Sequence, residues 1–350
     1  MNSKICIVSE AIKRPFDEGV KIFVYNFVKE LTQHNTVLGI TRSSNYDGEI
    51  EKFCTKALPK NKLFISLYLW NKIRSFHPDI IYYIPTACAT IYSFLRAKIL
   101  KLYGNTAKTV MITLQPREYT ALVKKIIPFF APDLILAQST TTREVLDGLG
   151  CKTKMIHAGV NLHKFTPVDS IIKDSLRKKY GFPNDKYIVL HVGHINRNRN
   201  VQCMEKIQNV DDIQVIVVGS TSYPEDGDLV EELKEKGVIV ITRYIENINE
   251  VYQCADCYLF PVFSNSACIE IPLSVFEAMA CNLPVVTTKF GELPNLVKEQ
   301  NGFVYADTMD EIIPKIRQVR LIPQPQTRIL VERYSWENVI KQILLNSLSK

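Results

Sequence analysis

The sequence predicts an α/β protein made of two doubly wound, Rossmann-like domains facing across a cleft. Short runs of Val, Ile and Leu recur along the whole chain, separated by stretches of helical length. Most of these runs are continuous rather than alternating, as parallel strands covered on both faces must be. A chain of 350 residues is also long enough for two ordinary cores.

Taken in order, the strands of the first half are predicted at Ile5–Ser9, Val37–Thr41, Ile80–Ile84, Thr109–Thr113, Leu134–Ala137 and Met155–His157. Those of the second half are predicted at Ile188–Val192, Gln214–Val218, Val238–Thr242, Cys257–Phe260, Val285–Thr288 and Gly302–Tyr305. Strand and helix alternate throughout, which argues for two doubly wound α/β domains. Pro167 follows the last strand of the first set, so the domains are expected at 1–166 and 167–333. The amphipathic stretch Trp336–Leu348 follows no new strand, and the helix at 334–350 is expected to cross back onto the first domain.

Composition narrows the class. With 46% hydrophobic and 23% charged residues and no low-complexity tract, the chain is globular. The opening MNSKICIVSE runs straight into a strand, which predicts no signal peptide. Apolar runs break well before the roughly 20 residues that a membrane span needs. Nine cysteines, an odd number without framework spacing, read as reduced thiols and so as a cytoplasmic protein. The pairs His191/His194 and Cys254/Cys257 each lack a matching second pair, so no metal site is expected. Residues 1–166 carry 23 Lys and Arg against 12 Asp and Glu, and the remainder 20 against 24. The basic first half suggests an anionic partner or simply a solvated basic face. Lys124–Phe130 and Arg96–Tyr103 mix cations with apolar residues, which favours a peripheral membrane surface; no nucleic-acid module appears, so no nucleic acid is expected.

The stretch Ser266–Val297 carries the most chemistry. Phe260-Pro261 ends a strand, and Pro272 suits the first turn of a helix running from Leu273 to Ala280. A helix starting just beyond a strand's carboxyl end offers free amides and a positive dipole end to a phosphate. Glu277 lies about one and a half turns inside, where its carboxylate suits two adjacent hydroxyls such as those of a ribose.

Glu277-Ala-Met-Ala-Cys-Asn-Leu-Pro-Val-Val286 resembles the donor-binding signature of glycosyltransferase family four, retaining enzymes of the GT-B fold, with Asn282 in place of a Gly. The resemblance extends over nearly the whole chain. It makes the first domain the acceptor side and the second the nucleotide-sugar donor side. Leu190–Asn200 resembles the strand and loop that supply a basic pair to the diphosphate; Gly193, His194, Arg197 and Arg199 stand there, Arg199 being the best diphosphate cation. Gly19 resembles the glycine brought against the donor, and Ile156–Asn161 with Phe165 and Pro167 resembles a domain-edge marker. Ile271, Pro272, Leu273, Gly291 and Glu292 would line the donor through their backbone, and Tyr244 would stand near the base.

Two departures leave alternatives open. Counting back from Glu277, the place of the family's first Glu holds Ile269; Glu270, displaced by one, either supplies that carboxylate or faces away. Where the family commonly has a His near the reacting sugar, this chain has Gln115, which hydrogen-bonds but cannot act as a base. The resemblance implies a hexosyltransferase with catalytic residues Arg199, Glu270 and Gln115. It implies retention of configuration, a UDP or GDP sugar, a sugar, glycan or lipid-linked acceptor, and no cofactor or metal. The alternatives are a catalytically impaired homologue acting as a partner subunit, and a different GT-B enzyme such as an epimerase or phosphorylase, against which the Glu277 block argues.

Overall fold

The computed structural model describes residues 3–45, 48–86, 88–222, 225–264 and 267–348; Ser266, where the motif-rich stretch begins, lies outside them. Two compact units emerge. The first comprises residues 1–158, 268–271 and 336–350, the second residues 159–267 and 272–335. The boundary thus falls at Ala158/Gly159, eight residues before the one drawn at Pro167, because Val160 bridges to Ser335 and its amide bonds Tyr334. Four residues from the middle of the second half, 268–271, also belong with the first unit.

The first unit runs β1 (Lys4–Val8), α1 (Gly19–Leu31), β2 (Thr36–Thr41), α2 (Gly48–Glu51), β3 (Cys54–Lys56), α3 (Leu67–Phe76), β4 (Ile80–Tyr83), α4 (Ile91–Gly104), β5 (Lys108–Thr113), α5 (Ala121–Phe130), β6 (Leu134–Ala137), α6 (Thr140–Gly148) and β7 (Thr153–Met155). Its seven strands are all parallel, in the order β3-β2-β1-β4-β5-β6-β7. Strands β4 and β6 are buried at every position, so their side chains meet helices on both faces.

The second unit runs α7 (Ser170–Tyr180), β8 (Tyr187–Val192), α8 (Met204–Gln208), β9 (Ile213–Val218), α9 (Gly227–Glu235), β10 (Ile239–Ile241), α10 (Ile248–Cys254), β11 (Cys257–Phe260), α11 (Leu273–Ala280), β12 (Val285–Thr287), α12 (Leu293–Leu296), β13 (Phe303–Tyr305) and α13 (Ile312–Arg320). Its six parallel strands are ordered β10-β9-β8-β11-β12-β13. The order reverses between β8 and β11, the switch point at which such sheets open a crevice beyond the strands' carboxyl ends. The register shows that opening. β8 pairs with β9 as far as Val192, but with β11 only as far as Leu190.

The chain then returns to the first unit as α14 (Trp336–Leu348). Trp336 stands edge-on to Phe23 of α1 at 5.5 Å, and Asn346 bonds the carbonyl of Met155 at 3.1 Å.

Candidate functional site

In the second unit the carboxyl ends of β8, β11 and β12 are tied to one another. Beyond β8, Gly193 leads into a short 3-10 turn at Arg197–Arg199, capped by Asn196, whose side chain accepts from the Arg199 amide. The Arg199 guanidinium turns inward and donates from Nε and Nη2 to the carbonyl of Ala267, at 3.2 and 3.0 Å. Asn200 donates to Pro261 at 3.0 Å, and the Thr288 hydroxyl donates to Val262, so the loops after β8 and β12 are both fastened to the loop after β11. Arg199 is only 9% exposed, and among the described residues no carboxylate pairs with it.

Beneath this loop His191, the fifth residue of β8, is completely buried. Its Nδ1 lies 3.0 Å from the carbonyl of Leu259, so that nitrogen carries the proton and Nε2 is left as an acceptor with no hydrogen bond among the described residues. Burial, with the nearby Arg199 charge adding to it, pushes the ring down to about 4, so it is neutral. A Cβ on Gly193 would fall 2.9 Å from Nη1 of Arg199 and 3.4 Å from Nε2 of His191. The backbone there must be bare for the guanidinium to lie where it does. Sequence reasoning treated His191 only as half of an insufficient metal pair. Its signal was a lone polar residue inside a buried strand end.

Arg197 has a partner of its own. The sequence grouped it with Arg199, but it is exposed and forks onto both oxygens of Glu232 in α9 at 2.7 Å. His194 follows Gly193 half-buried in the loop. Tyr244, expected near a base, follows edge strand β10, two strands away from β8.

Helix α11 spans Leu273–Ala280 as the sequence suggested, with Pro272 as its N-cap, and as proline it offers no side-chain cap. Leu273 is the first helical residue and Glu277 the fifth. Glu277 is 8% exposed, and its Oε2 accepts from the Tyr252 hydroxyl of α10 at 2.9 Å. Burial raises its carboxyl to about 7, against the opposing pull of Tyr252 and of the Lys164 charge. Tyr252 is the second residue that sequence reasoning missed, because it precedes its partner by a strand and a loop. At the other end of α11, Asn282 adopts φ +60°, the conformation for which the family's glycine would serve. Its side chain bonds the carbonyl of Pro325 at 2.7 Å and accepts from the Arg328 amide at 3.2 Å. After β12, Gly291 turns the chain at φ +53°, and Glu292, 4% exposed, caps α12 and accepts from Asn295.

The remaining predicted residues lie in the first unit. Glu270 is 3% exposed; its amide bonds Leu114 at 2.9 Å, and Oε1 accepts from the hydroxyls of Ser139 and, at 2.7 Å, Thr142. Ser139 is the N-cap of α6, so the carboxylate rests at the positive end of that helix. Oε1 of the carboxylate is thus engaged at the start of α6. Ile269, in the place of the family's first Glu, lies against Gly19: a Cβ there would come 2.8 Å from its Cδ1. Gly19, expected to bring backbone against a donor, also makes room for Ile269. Gln115 is half-buried just beyond β5, next to the Leu114 carbonyl that holds Glu270. Ile271, fully buried, closes the segment.

The second unit therefore holds, at its switch point, a buried cation beside a bare glycine backbone and an uncapped helix start. It also holds a buried carboxylate a turn and a half into that helix. These are groups that bind anions and adjacent hydroxyls. Residues 186–320 match the family model described as "Glycosyl transferases group 1". Sulfoquinovosyl transferase SQD2 of Arabidopsis thaliana is 24% identical over 308 residues, covering 80% of this chain and 58% of that protein. Residues 186–320, most of the second unit, are thus similar in sequence to the group 1 glycosyltransferases. D-inositol 3-phosphate glycosyltransferase of Corynebacterium urealyticum is a further relative, 26% identical over 236 residues, 59% of this chain and 54% of that one. The matched stretches span just over half the length of these two curated relatives. The solved structure of Anabaena Alr3699/HepE in complex with UDP-glucose superposes with a TM-score of 0.75 at 17% identity, over 99% of this chain and 100% of that one. That likeness shows the fold, and the two Rossmann-like units are those of a GT-B protein.

Proposed function

We propose that this protein is a group 1 glycosyltransferase that moves a hexose-type sugar from a UDP or GDP sugar to a sugar, glycan or lipid-linked acceptor at the cytoplasmic face of a membrane. The transfer retains the anomeric configuration and needs no metal. The observation that carries the reading is Arg199, a guanidinium buried at the switch point and held by a backbone carbonyl, with no carboxylate partner among the described residues. A buried cation without a counter-charge is costly, and a diphosphate supplies what it lacks. The relatives' names and the UDP-glucose in the Anabaena structure support a nucleotide-sugar donor.

In the proposed mechanism, breaking the anomeric bond loads negative charge onto the departing diphosphate. Arg199 and the first amides of α11 stabilise that charge. Glu277, once ionised, accepts from the two ribose hydroxyls. The acceptor attacks from the face that the diphosphate leaves, and a donor phosphate oxygen takes its proton, so no second carboxylate is required. Gln115 hydrogen-bonds the transferred sugar.

Release of UDP or GDP from a panel of nucleotide sugars tests this. Arg199→Ala is expected to lower turnover by about 100-fold or more, and excess EDTA to leave it unchanged. An anomeric proton spectrum of the product reads the stereochemistry. Turnover that survives Arg199→Ala, or that stops with EDTA, contradicts the reading.

A further inference from the structure

The basic excess of the first half has one address. Residues 52–132 carry 13 Lys and Arg against two acids, Asp79 and Glu118. Helices α3, α4 and α5 contain seven of these cations and no acidic residue. The three helices bury their inner sides in one cluster on one face of the sheet, through Leu69 and Ile73, Phe94 and Leu100, and Ile127 respectively. α4 packs against both of the others, so the outer sides of all three form one surface.

That surface is apolar as well as basic. Leu67 is 76% exposed, Leu122 68% and Phe129 74%. In α5, which reads ALVKKIIPFF, only Ile127 is buried. Arg96 and Lys101 are neutralised by Glu10 and Asp133, but Lys72, Arg74, Lys98, Lys124 and Lys125 have no carboxylate partner among the described residues. Lys72 lies over the ring of Tyr68, and Arg74 over that of Trp70, each at 5.8 Å. No helix among the described residues is long and apolar enough to cross a membrane.

We propose that the outer face of α3, α4 and α5 docks on a bilayer rich in anionic lipid. A polynucleotide would satisfy the cations but leave the exposed Leu and Phe side chains in water. The headgroup boundary of a bilayer takes both, with aliphatic and aromatic groups below and Lys and Arg at the phosphates. The inference deepens the proposed function and rests on its membrane-borne acceptor, since it says which surface brings the enzyme to that acceptor.

Sedimentation with vesicles tests it. The full-length protein is expected to bind phosphatidylcholine vesicles containing about one-third phosphatidylglycerol, to ignore pure phosphatidylcholine, and to release as salt rises. Lys124→Gln/Lys125→Gln should weaken partitioning by about tenfold or more, and Leu122→Ser/Phe129→Ser by a similar factor. All four side chains point outward, so both variants should keep the wild-type melting temperature and wild-type UDP or GDP release. Equal binding to both vesicle types, no binding, unaffected variants, or capture by duplex DNA without vesicle binding would each overturn the docking surface. Vesicle binding by a protein that turns over no nucleotide sugar would overturn the proposed function instead.

Discussion

At the scale of single residues, Glu277 links pH to both stability and binding. Its carboxyl stands near 7 because burial disfavours the charge. A carboxylate accepts from two hydroxyls best when ionised. Donor affinity is therefore expected to rise about tenfold between pH 6 and pH 8, as ionisation passes from a minor to the major form. Binding titrations at several pH values read this, and a flat profile would contradict the ribose contact. The same shift has a stability consequence of opposite sense. The folded carboxyl is raised above its unfolded value of 4.5, so its contribution is fully present below that pH and is lost as pH climbs through 7. Glu277→Gln keeps an acceptor for Tyr252 and removes the buried charge. It should melt higher than wild type at pH 8, by an amount worth at most about 3 kcal/mol, while binding donor poorly. The two arginines of the β8 loop divide similarly. Arg197 is exposed and already engaged by Glu232, so Arg197→Ala should change donor affinity by less than about threefold, in contrast with Arg199→Ala.

At the scale of elements, α11 is open at one end and closed at the other. Pro272 caps nothing, which leaves amides for a ligand, whereas the C-terminus is sealed by bonds from Leu283 to Ala278 and from Asn282 to Met279. Asn282→Ala would place in a left-handed turn a residue that tolerates it less well than Asn, and would remove the side-chain bonds to the Pro325 carbonyl and the Arg328 amide. A loss of about 1–3 kcal/mol is expected in chemical denaturation, and Asn282→Gly should recover the part owed to backbone conformation. Helix α1 begins under a different constraint: Gly19→Ala pushes on Ile269, and the double substitution with Ile269→Val should be more stable than Gly19→Ala alone. Periodicity and apolar runs made nearly every strand readable. β3 escaped because it is three residues long, half-exposed and at the sheet edge. β7 was read two residues late, since the polar Thr153 and Lys154 carry its pairing to β6. The packing contacts of Gly19 and Glu270 were not readable, because both depend on where residues 268–271 return in space. That return leaves no periodic or compositional trace.

At the scale of the whole molecule, the chain passes between units four times, after Ala158, on either side of residues 268–271 and finally into α14. The last passage was visible as an amphipathic helix without a strand, whereas the middle two lay inside the best-matched motif and were hidden by it. Ending the chain at Ser335 removes the Trp336–Phe23 contact, the fully buried Ile343 and the Asn346 bond to Met155. Calorimetry of that truncation should show the first unit melting lower by roughly 10 °C with the second unit's transition kept. A single unshifted transition would mean that α14 contributes little. The central claim concerns the second unit alone: a diphosphate rests on Arg199 and the start of α11, with its ribose on Glu277. A crystal structure with bound UDP or GDP measures this most directly. It should show the β-phosphate hydrogen-bonded to Arg199 and both ribose hydroxyls donating to Glu277. A nucleotide bound elsewhere, or Glu277 still bonded to Tyr252 alone with the ribose out of reach, would contradict it.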